Sequence, residues 1–118
     1  MKLDVRELES VTIVDLDGNL TIGGGDVMLR ELTVELLHSD RKQIVLNMAG
    51  VDYMDSAGIG EMVACSKLAN DRAATVKLLG PTRKVREMLR ITRFEELFEI
   101  HEDEQAAVAS FSLVEDGK

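Results

Sequence analysis

VDYMDSAGIG, residues 51–60, is the stretch in which a buried strand, a turn and the start of a helix are predicted to meet, with the hydroxyl of Ser56 at the junction. The apolar run before it, Gln43-Ile44-Val45-Leu46-Asn47-Met48, is bounded by polar residues, which is typical of a strand covered on both faces. Helical spacing predicts a helix after it, with an inward face made of Ile59, Met62, Val63, Ser66 and Ala69. Glu61 is expected to lie off that face.

The start of this helix is predicted to be capped and unusually bare. Asp55 and Ser56 each carry an oxygen that can accept a hydrogen bond from a free N–H group of the first turn, and the sequence leaves both open as the N-cap. Glycine inside a helix costs about 1 kcal/mol relative to alanine. Gly58 and Gly60 therefore favour a helix start that another backbone, or a phosphate, can approach closely. Taken in isolation, the four letters Asp-Ser-x-Gly favour an ordinary capped turn.

Residues 44–60 together resemble the core signature of STAS domains, specifically the bacterial anti-sigma factor antagonists. In that family a hydrophobic strand leads into an Asp-Ser-x-Gly-hydrophobic-Gly turn. The resemblance extends over about residues 3–111, and its specific part is residues 55–60. Three positions depart from the pattern: Asn47 stands where an acidic residue is usual, Ala57 where a second serine is frequent, and Thr21 where an aspartate is common.

The resemblance implies a function in transcription regulation by partner switching. It implies that the unphosphorylated protein binds an anti-sigma factor that is also a serine kinase, and that phosphorylation of Ser56 ends this complex. A serine phosphatase would reverse the modification. The partner surface is expected in a glycine loop and in the serine turn, at Thr21, Gly23, Gly24, Gly25, Asp26, Tyr53, Met54, Asp55, Ser56, Ala57, Gly58, Ile59 and Gly60.

Length and charge limit the other possibilities. The chain has 118 residues, 45% of them hydrophobic, with a net charge of −8 at pH 7 and a pI near 4.7. One domain is expected over residues 1–112, followed by a flexible tail over residues 113–118. The negative charge argues against binding a phosphate backbone, and three Phe and one Tyr do not make a base-stacking platform. No nucleic acid partner is therefore expected.

Location is predicted from cysteine use and hydropathy. The single Cys65 cannot form an internal disulfide and is expected to have a packing role. The charged N-terminus does not resemble a signal peptide, and the apolar runs are far shorter than the roughly 20 residues that span a bilayer. The sequence therefore predicts a cytoplasmic protein without membrane insertion.

The order of the predicted elements indicates a single α/β domain. We expect a mixed, mostly parallel sheet with an N-terminal hairpin and about four helices packed against it. The hairpin is predicted to turn at Glu9-Ser10, and Asp17-Gly18-Asn19 has the composition of a further turn. Gly23-Gly24-Gly25 is predicted to be a flexible loop, and Asp26 to cap the first helix.

The second half of the chain continues this alternation. Residues 75–79 read as a strand, and Thr82 and Asp103 are predicted to cap the last two helices. Between those helices the chain is expected to return to the core through Phe94, Leu97, Phe98 and Ile100.

Two rival functions remain open. One is an enzyme with Ser56 as nucleophile, although residues 54–58 carry only the second glycine of a Gly-x-Ser-x-Gly elbow and only His38 and His101 could act as the base. The other is a non-switching STAS module in a transporter-associated or scaffold signalling complex. The glycine triplet lacks the Lys-Ser/Thr ending of a nucleotide-binding loop, and the histidines lack metal-ligand spacing. We expect no catalysis, no cofactor and no metal.

Overall fold

Strands and helices alternate along the chain after an N-terminal hairpin. The structure is a computed structural model that describes residues 1–116, and side chains through residue 112. The strands are β1 (Lys2–Leu8), β2 (Val11–Leu20), β3 (Gln43–Met54), β4 (Thr75–Leu79) and β5 (Ile100–His101). The helices are α1 (Gly25–His38), α2 (Ser56–Asp71), α3 (Arg83–Ile91) and α4 (Glu104–Asp116), with a 3-10 turn at Phe94–Leu97.

The five strands form one sheet in the order β1-β2-β3-β4-β5. β1 and β2 are antiparallel and turn at Glu9 and Ser10, whose φ angles are 51° and 70°. The pairs β2-β3, β3-β4 and β4-β5 are all parallel. The predicted fold class is therefore confirmed, and the carboxyl ends of β2 to β5 lie at one edge of the sheet.

The predicted turn at Asp17-Gly18-Asn19 is wrong, because these residues continue β2. Asp17 pairs with Gly50 and Gly18 with Val51, and the register shifts on either side of this pair of residues. Gly18 has φ of +120°, a conformation that glycine adopts without steric cost. A bulge in a strand needs the same residue types as a turn, so local composition did not separate the two.

Helices cover both faces of the sheet. One core contains the inward residues of α1, α2 and α3 together with Ile44 and Leu46 of β3. On the other face, α4 packs Ala107, Val108 and Phe111 against a second core that includes Val45. β3 is thus buried on both faces, as its apolar run predicted.

α4 is tied to the sheet by a buried cation. Lys77 of β4 is 3% exposed, and its Nζ lies 2.7 Å from Ser110 Oγ and 3.0 Å from a carboxylate oxygen of Glu99. The same Nζ lies 4.2 Å from the centre of the Phe111 ring. An ammonium group as buried as that of Lys77 requires such partners.

Asp103 caps α4 as predicted, because its carboxylate accepts the N–H of Ala106 at 2.9 Å.

Two features of the C-terminal part differ from expectation. α4 continues to Asp116, so the expected start of a tail at residue 113 falls inside a helix, and residues 117 and 118 lie outside the described residues. Leu97 is 57% exposed and does not return to the core, whereas Phe98 is buried. Among the helices described, none is long and apolar enough to cross a membrane.

Candidate functional site

The glycine loop and the serine turn lie side by side at the carboxyl edge of the sheet. The last residues of β2 and β3 are neighbours, with Leu20 paired to Met54. The loop leaves β2 directly after Leu20, and α2 begins at Ser56, two residues after β3 ends. In parallel α/β sheets this edge is where ligands and partners gather. The two segments predicted to form one surface are thus brought together.

Asp55 is the N-cap of α2, which settles the choice that the sequence left open. One carboxylate oxygen, Oδ1, accepts the N–H of Gly58 at 2.9 Å. The other, Oδ2, accepts the N–H of Ile22 in the glycine loop at 3.0 Å. The bond from Ile22, followed by the bond from Gly58, lowers the pKa of the Asp55 carboxyl. One ionised side chain therefore holds the helix start and the loop together.

The two glycines at the start of α2 have different surroundings. A Cβ placed on Gly58 would lie 2.0 Å from the carbonyl oxygen of Leu20, so the helix meets the end of β2 too closely for any other residue. A Cβ on Gly60 would meet nothing within 4 Å. The predicted close approach of another backbone is therefore found at Gly58, and Gly60 leaves an open, side-chain-free surface.

Ser56 is exposed, and so are several residues around it. Tyr53, Gly23, Gly24 and Gly60 are also exposed, whereas Thr21, Asp26, Asp55 and Ala57 are half-buried. The remaining residues of the predicted partner surface are buried, and they support it from within the protein: Gly25, Met54, Gly58 and Ile59. Contact with a partner remains a prediction for the exposed and half-buried members alone.

Asp26 does not cap α1, contrary to expectation. The N-cap is Gly24, without a side-chain hydrogen bond, and Asp26 lies in the first turn. Its Oδ1 accepts the N–H groups of Gly24 at 3.1 Å and Val27 at 2.8 Å. Gly25 must be a glycine here, because a Cβ would lie 2.5 Å from the carbonyl oxygen of Asn19. The helix begins earlier than predicted, and Asp26 orders the loop from within it.

Three apolar residues next to the loop are exposed, which the sequence did not predict. Ile22 is 74% exposed, Val27 41% and Met28 38%. The helical spacing could have indicated this for Val27 and Met28, because they lie off the inward stripe of α1, which begins at Leu29. Tyr53 adds an aromatic ring to this edge, with Lys84 Nζ 5.5 Å from the ring centre. The glycine loop is therefore flanked by apolar surface.

Glu61 is buried, although it was expected to lie off the inward face of α2. It is 5% exposed, and its Oε1 accepts hydrogen bonds from Arg30 Nη2 at 2.6 Å and Arg30 Nε at 3.0 Å. Cys65 Sγ lies 3.5 Å from its Oε2, and burial is the main cause that raises the pKa of the Cys65 thiol to about 11. α1 packs on this flank of α2 and covers the carboxylate. Cys65 is buried, as its expected packing role requires.

The asparagine in β3 has a structural explanation. Asn47 Nδ2 donates to Asp15 Oδ1 at 2.8 Å, and Arg6 binds both oxygens of the same carboxylate. A carboxylate at position 47 would face that of Asp15 across two paired strands. Arg6 also binds Glu104 of α4, so this departure belongs to the α4 side of the sheet.

Neither histidine is hydrogen-bonded to Ser56 among the residues that the structure describes. His38 is the last residue of α1, and His101 Nε2 is 2.5 Å from Glu99 Oε2. The described part of the chain also holds no cluster of three or more His, Cys, Asp or Glu side chains that could bind a metal ion.

Fold and site together define a small α/β protein that presents a serine hydroxyl at a helix start, beside a glycine loop. The chain belongs to the STAS domain family, whose model matches residues 2–107. It is 25% identical over 111 residues to BtrV of Bordetella bronchiseptica, assigned as an anti-sigma factor antagonist, covering 94% of this chain and 95% of that protein.

Solved structures share the fold. The TM1081 protein of Thermotoga maritima superposes with a TM-score of 0.84 at 20% identity, covering 92% of both chains. The phosphorylated form of SpoIIAA from Bacillus superposes with a TM-score of 0.72 at 16% identity, covering 93% of this chain and 99% of that one.

Proposed function

We propose that the protein is an anti-sigma factor antagonist that works by partner switching, with Ser56 as its phosphoacceptor. The observation that carries this proposal is an exposed serine at the first position of α2, beside a loop with exposed apolar residues. The relatives support it, because SpoIIAA is described as an anti-sigma factor antagonist and has been solved with and without its phosphate.

The unphosphorylated protein would bind an anti-sigma factor that is also a serine kinase, and so release a sigma factor for transcription. Ile22, Val27 and Tyr53 offer the apolar and aromatic surface that protein interfaces favour at their centres. Gly60 lets the partner's backbone come close, since no side chain stands in the way. A serine phosphatase would restore the binding form, and the pathway would operate in the cytoplasm. The protein itself would catalyse no reaction.

A phosphate on Ser56 would act through charge and shape. It adds about −1.5 to −2 charge at pH 7 on the residue after Asp55, whose carboxylate accepts the N–H of Ile22. The start of α2 would tolerate it, because free N–H groups and the helix dipole favour an anion there. A partner packed on the apolar surface would not. A loss of one to two orders of magnitude in affinity needs only about 1.4 to 2.8 kcal/mol.

The test begins with the partner. We expect affinity capture from the native cell to recover an ATP-binding anti-sigma protein. Treatment with that protein and ATP should modify the wild type at Ser56 and weaken its binding, whereas Ser56→Ala should continue to bind. Ser66→Ala is the matched control, because Ser66 lies on the same helix, and it should behave as the wild type does.

Equal affinities of wild type and Ser56→Ala after kinase treatment would contradict the switch. Capture of a transporter or scaffold component without modification of Ser56 would favour the non-switching module. Turnover of an ester or phosphoester that depends on Ser56 would favour the enzyme.

A further inference from the structure

The carboxylate of Asp55 serves two segments through two different oxygens. Oδ1 binds the N–H of Gly58 in the first turn of α2, and Oδ2 binds the N–H of Ile22 in the glycine loop. The N–H of Asp55 itself points to the carbonyl oxygen of Leu20 at 3.4 Å, so this short segment also contacts the end of β2. Hydrogen bonds to an ionised acceptor are about twice as strong as neutral ones.

Ile22 has no comparable support from packing. Its side chain is 74% exposed, and it precedes three consecutive glycines. Gly23 has φ of +82°, and a Cβ on Gly23 or Gly24 would meet nothing within 4 Å. A chain this free of side-chain contacts is ordered by its hydrogen bonds. The bond from the Ile22 N–H to Asp55 therefore has a large share in fixing where this apolar side chain lies.

We propose that Asp55 is a positioning residue, which ties Ile22 to the start of α2, and that a phosphoryl group on Ser56 loosens this tie. The second half rests on the proposed function. A dianion on the adjacent residue repels the Asp55 carboxylate and competes with it for the first-turn N–H groups of α2. The phosphate would thereby displace the apolar anchor of the partner surface, in addition to adding charge to it.

The chain offers a substitution that separates the two roles of Asp55. Asp55→Asn keeps one acceptor oxygen, and asparagine caps helices about as well as aspartate does. The side-chain oxygen can remain on Gly58, but the NH₂ group that replaces Oδ2 cannot accept from Ile22. We expect amide exchange with water to become about tenfold faster at Ile22, equivalent to about 1.4 kcal/mol. The Gly58 amide and the melting temperature should change little.

Asp26→Asn is the matched control, because it also replaces a carboxylate that accepts a backbone N–H of the glycine loop by a neutral amide. Both of its hydrogen bonds, from Gly24 and Val27, go to a single oxygen, Oδ1. An asparagine oxygen can accept both, so the Ile22 amide should stay as in the wild type. Unchanged exchange at both Ile22 and Gly58 in Asp55→Asn would overturn the positioning role.

The phosphate arm uses the full chain with phosphoserine incorporated at residue 56 during synthesis, so it needs no kinase. We expect the scalar coupling across the hydrogen bond, from the Ile22 nitrogen to the Asp55 carboxyl carbon, to be present in the unmodified chain. It should be lost in the phosphorylated one. This measurement also decides the positioning role if Asp55→Asn does not fold. A coupling absent from the unmodified chain overturns the tie, and one retained with phosphoserine overturns the loosening. Failure to find a kinase partner would count against the proposed function. It would not affect the amide-exchange and coupling measurements, because neither of them uses a kinase.

Discussion

Gly58 and Gly60 lie two residues apart in α2 but differ in what surrounds their α-carbons. A Cβ on Gly58 would lie only 2.0 Å from the carbonyl oxygen of Leu20, whereas the space beside Gly60 is open. Overpacking of this kind costs about 1–3 kcal/mol. In an open helical position, replacing glycine by alanine instead stabilises by about 0.5–1 kcal/mol.

These two sites therefore give opposite predictions for the same substitution. Gly58→Ala is expected to lower the free energy of unfolding, because the added methyl must push α2 away from β2. Gly60→Ala is expected to raise it, because only the helix propensity changes. Urea denaturation of the two variants measures the difference, and shifts of the same sign would show that the contact at Leu20 does not decide the result.

At the scale of elements, one pair of side chains joins the two helices of the site. Arg30 of α1 covers the buried carboxylate of Glu61 in α2, and each of the two lies five residues after the first residue of its helix. Replacing one partner of a buried pair leaves the other charge without compensation, whereas replacing both by apolar residues is often neutral.

We therefore expect Arg30→Met to lower the urea midpoint, because the Glu61 carboxylate remains buried without its cation. Glu61→Leu together with Arg30→Met should recover most of this loss. The outcome against this interpretation is a double variant that is no more stable than Arg30→Met alone, which would mean that Glu61 is not held by charge pairing.

The same elements show what the sequence could and could not predict. The strand β3, a cap at Asp55 or Ser56 and the helix α2 follow from an apolar run, acceptor side chains and a helical stripe, all of which are local. The structure chose Asp55. The burial of Glu61 depends on which helix packs against α2, and the continuation of β2 through Gly18 depends on pairing with β3. Neither is a local property. The hydrogen bond from Ile22 to Asp55 joins residues 33 apart, and no pattern within either segment indicates it.

At the scale of the whole molecule, acid should weaken the fold through paired carboxylates. The hydrogen bonds from Arg6, which outweigh burial, lower the pKa of Asp15, and Asn47 adds to this effect. A carboxyl group whose pKa is lowered in the folded state contributes stability above its unfolded pKa, about 3.9 for Asp. That contribution is lost as the pH falls through the folded pKa.

We therefore expect stability to decline below about pH 4, and Asp15→Asn to show a smaller decline than the wild type. The effect should be modest, because Arg6 and Asp15 are partly exposed and solvent screens them. Thermal melts between pH 7 and pH 3 measure it. Asp52→Asn is the control, because Asp52 is exposed on β3, and its acid limb should match that of the wild type. Identical acid limbs for Asp15→Asn and Asp52→Asn would contradict this assignment.

The phosphate is expected to leave most of the molecule unchanged, since the site stands on a well-packed base. Met54 and Ile59, which flank the serine turn, are 0% and 3% exposed, and Gly58 is in contact with β2. Closely packed cores resist small displacements, whereas the glycine loop has few contacts. We expect backbone amide shifts between the unmodified chain and the chain with phosphoserine at residue 56 to be confined to residues 21–26 and 53–60. Shifts that spread through residues 76–89, in β4 and α3, would instead show that the phosphate acts on the whole sheet and reaches the partner surface by a longer route.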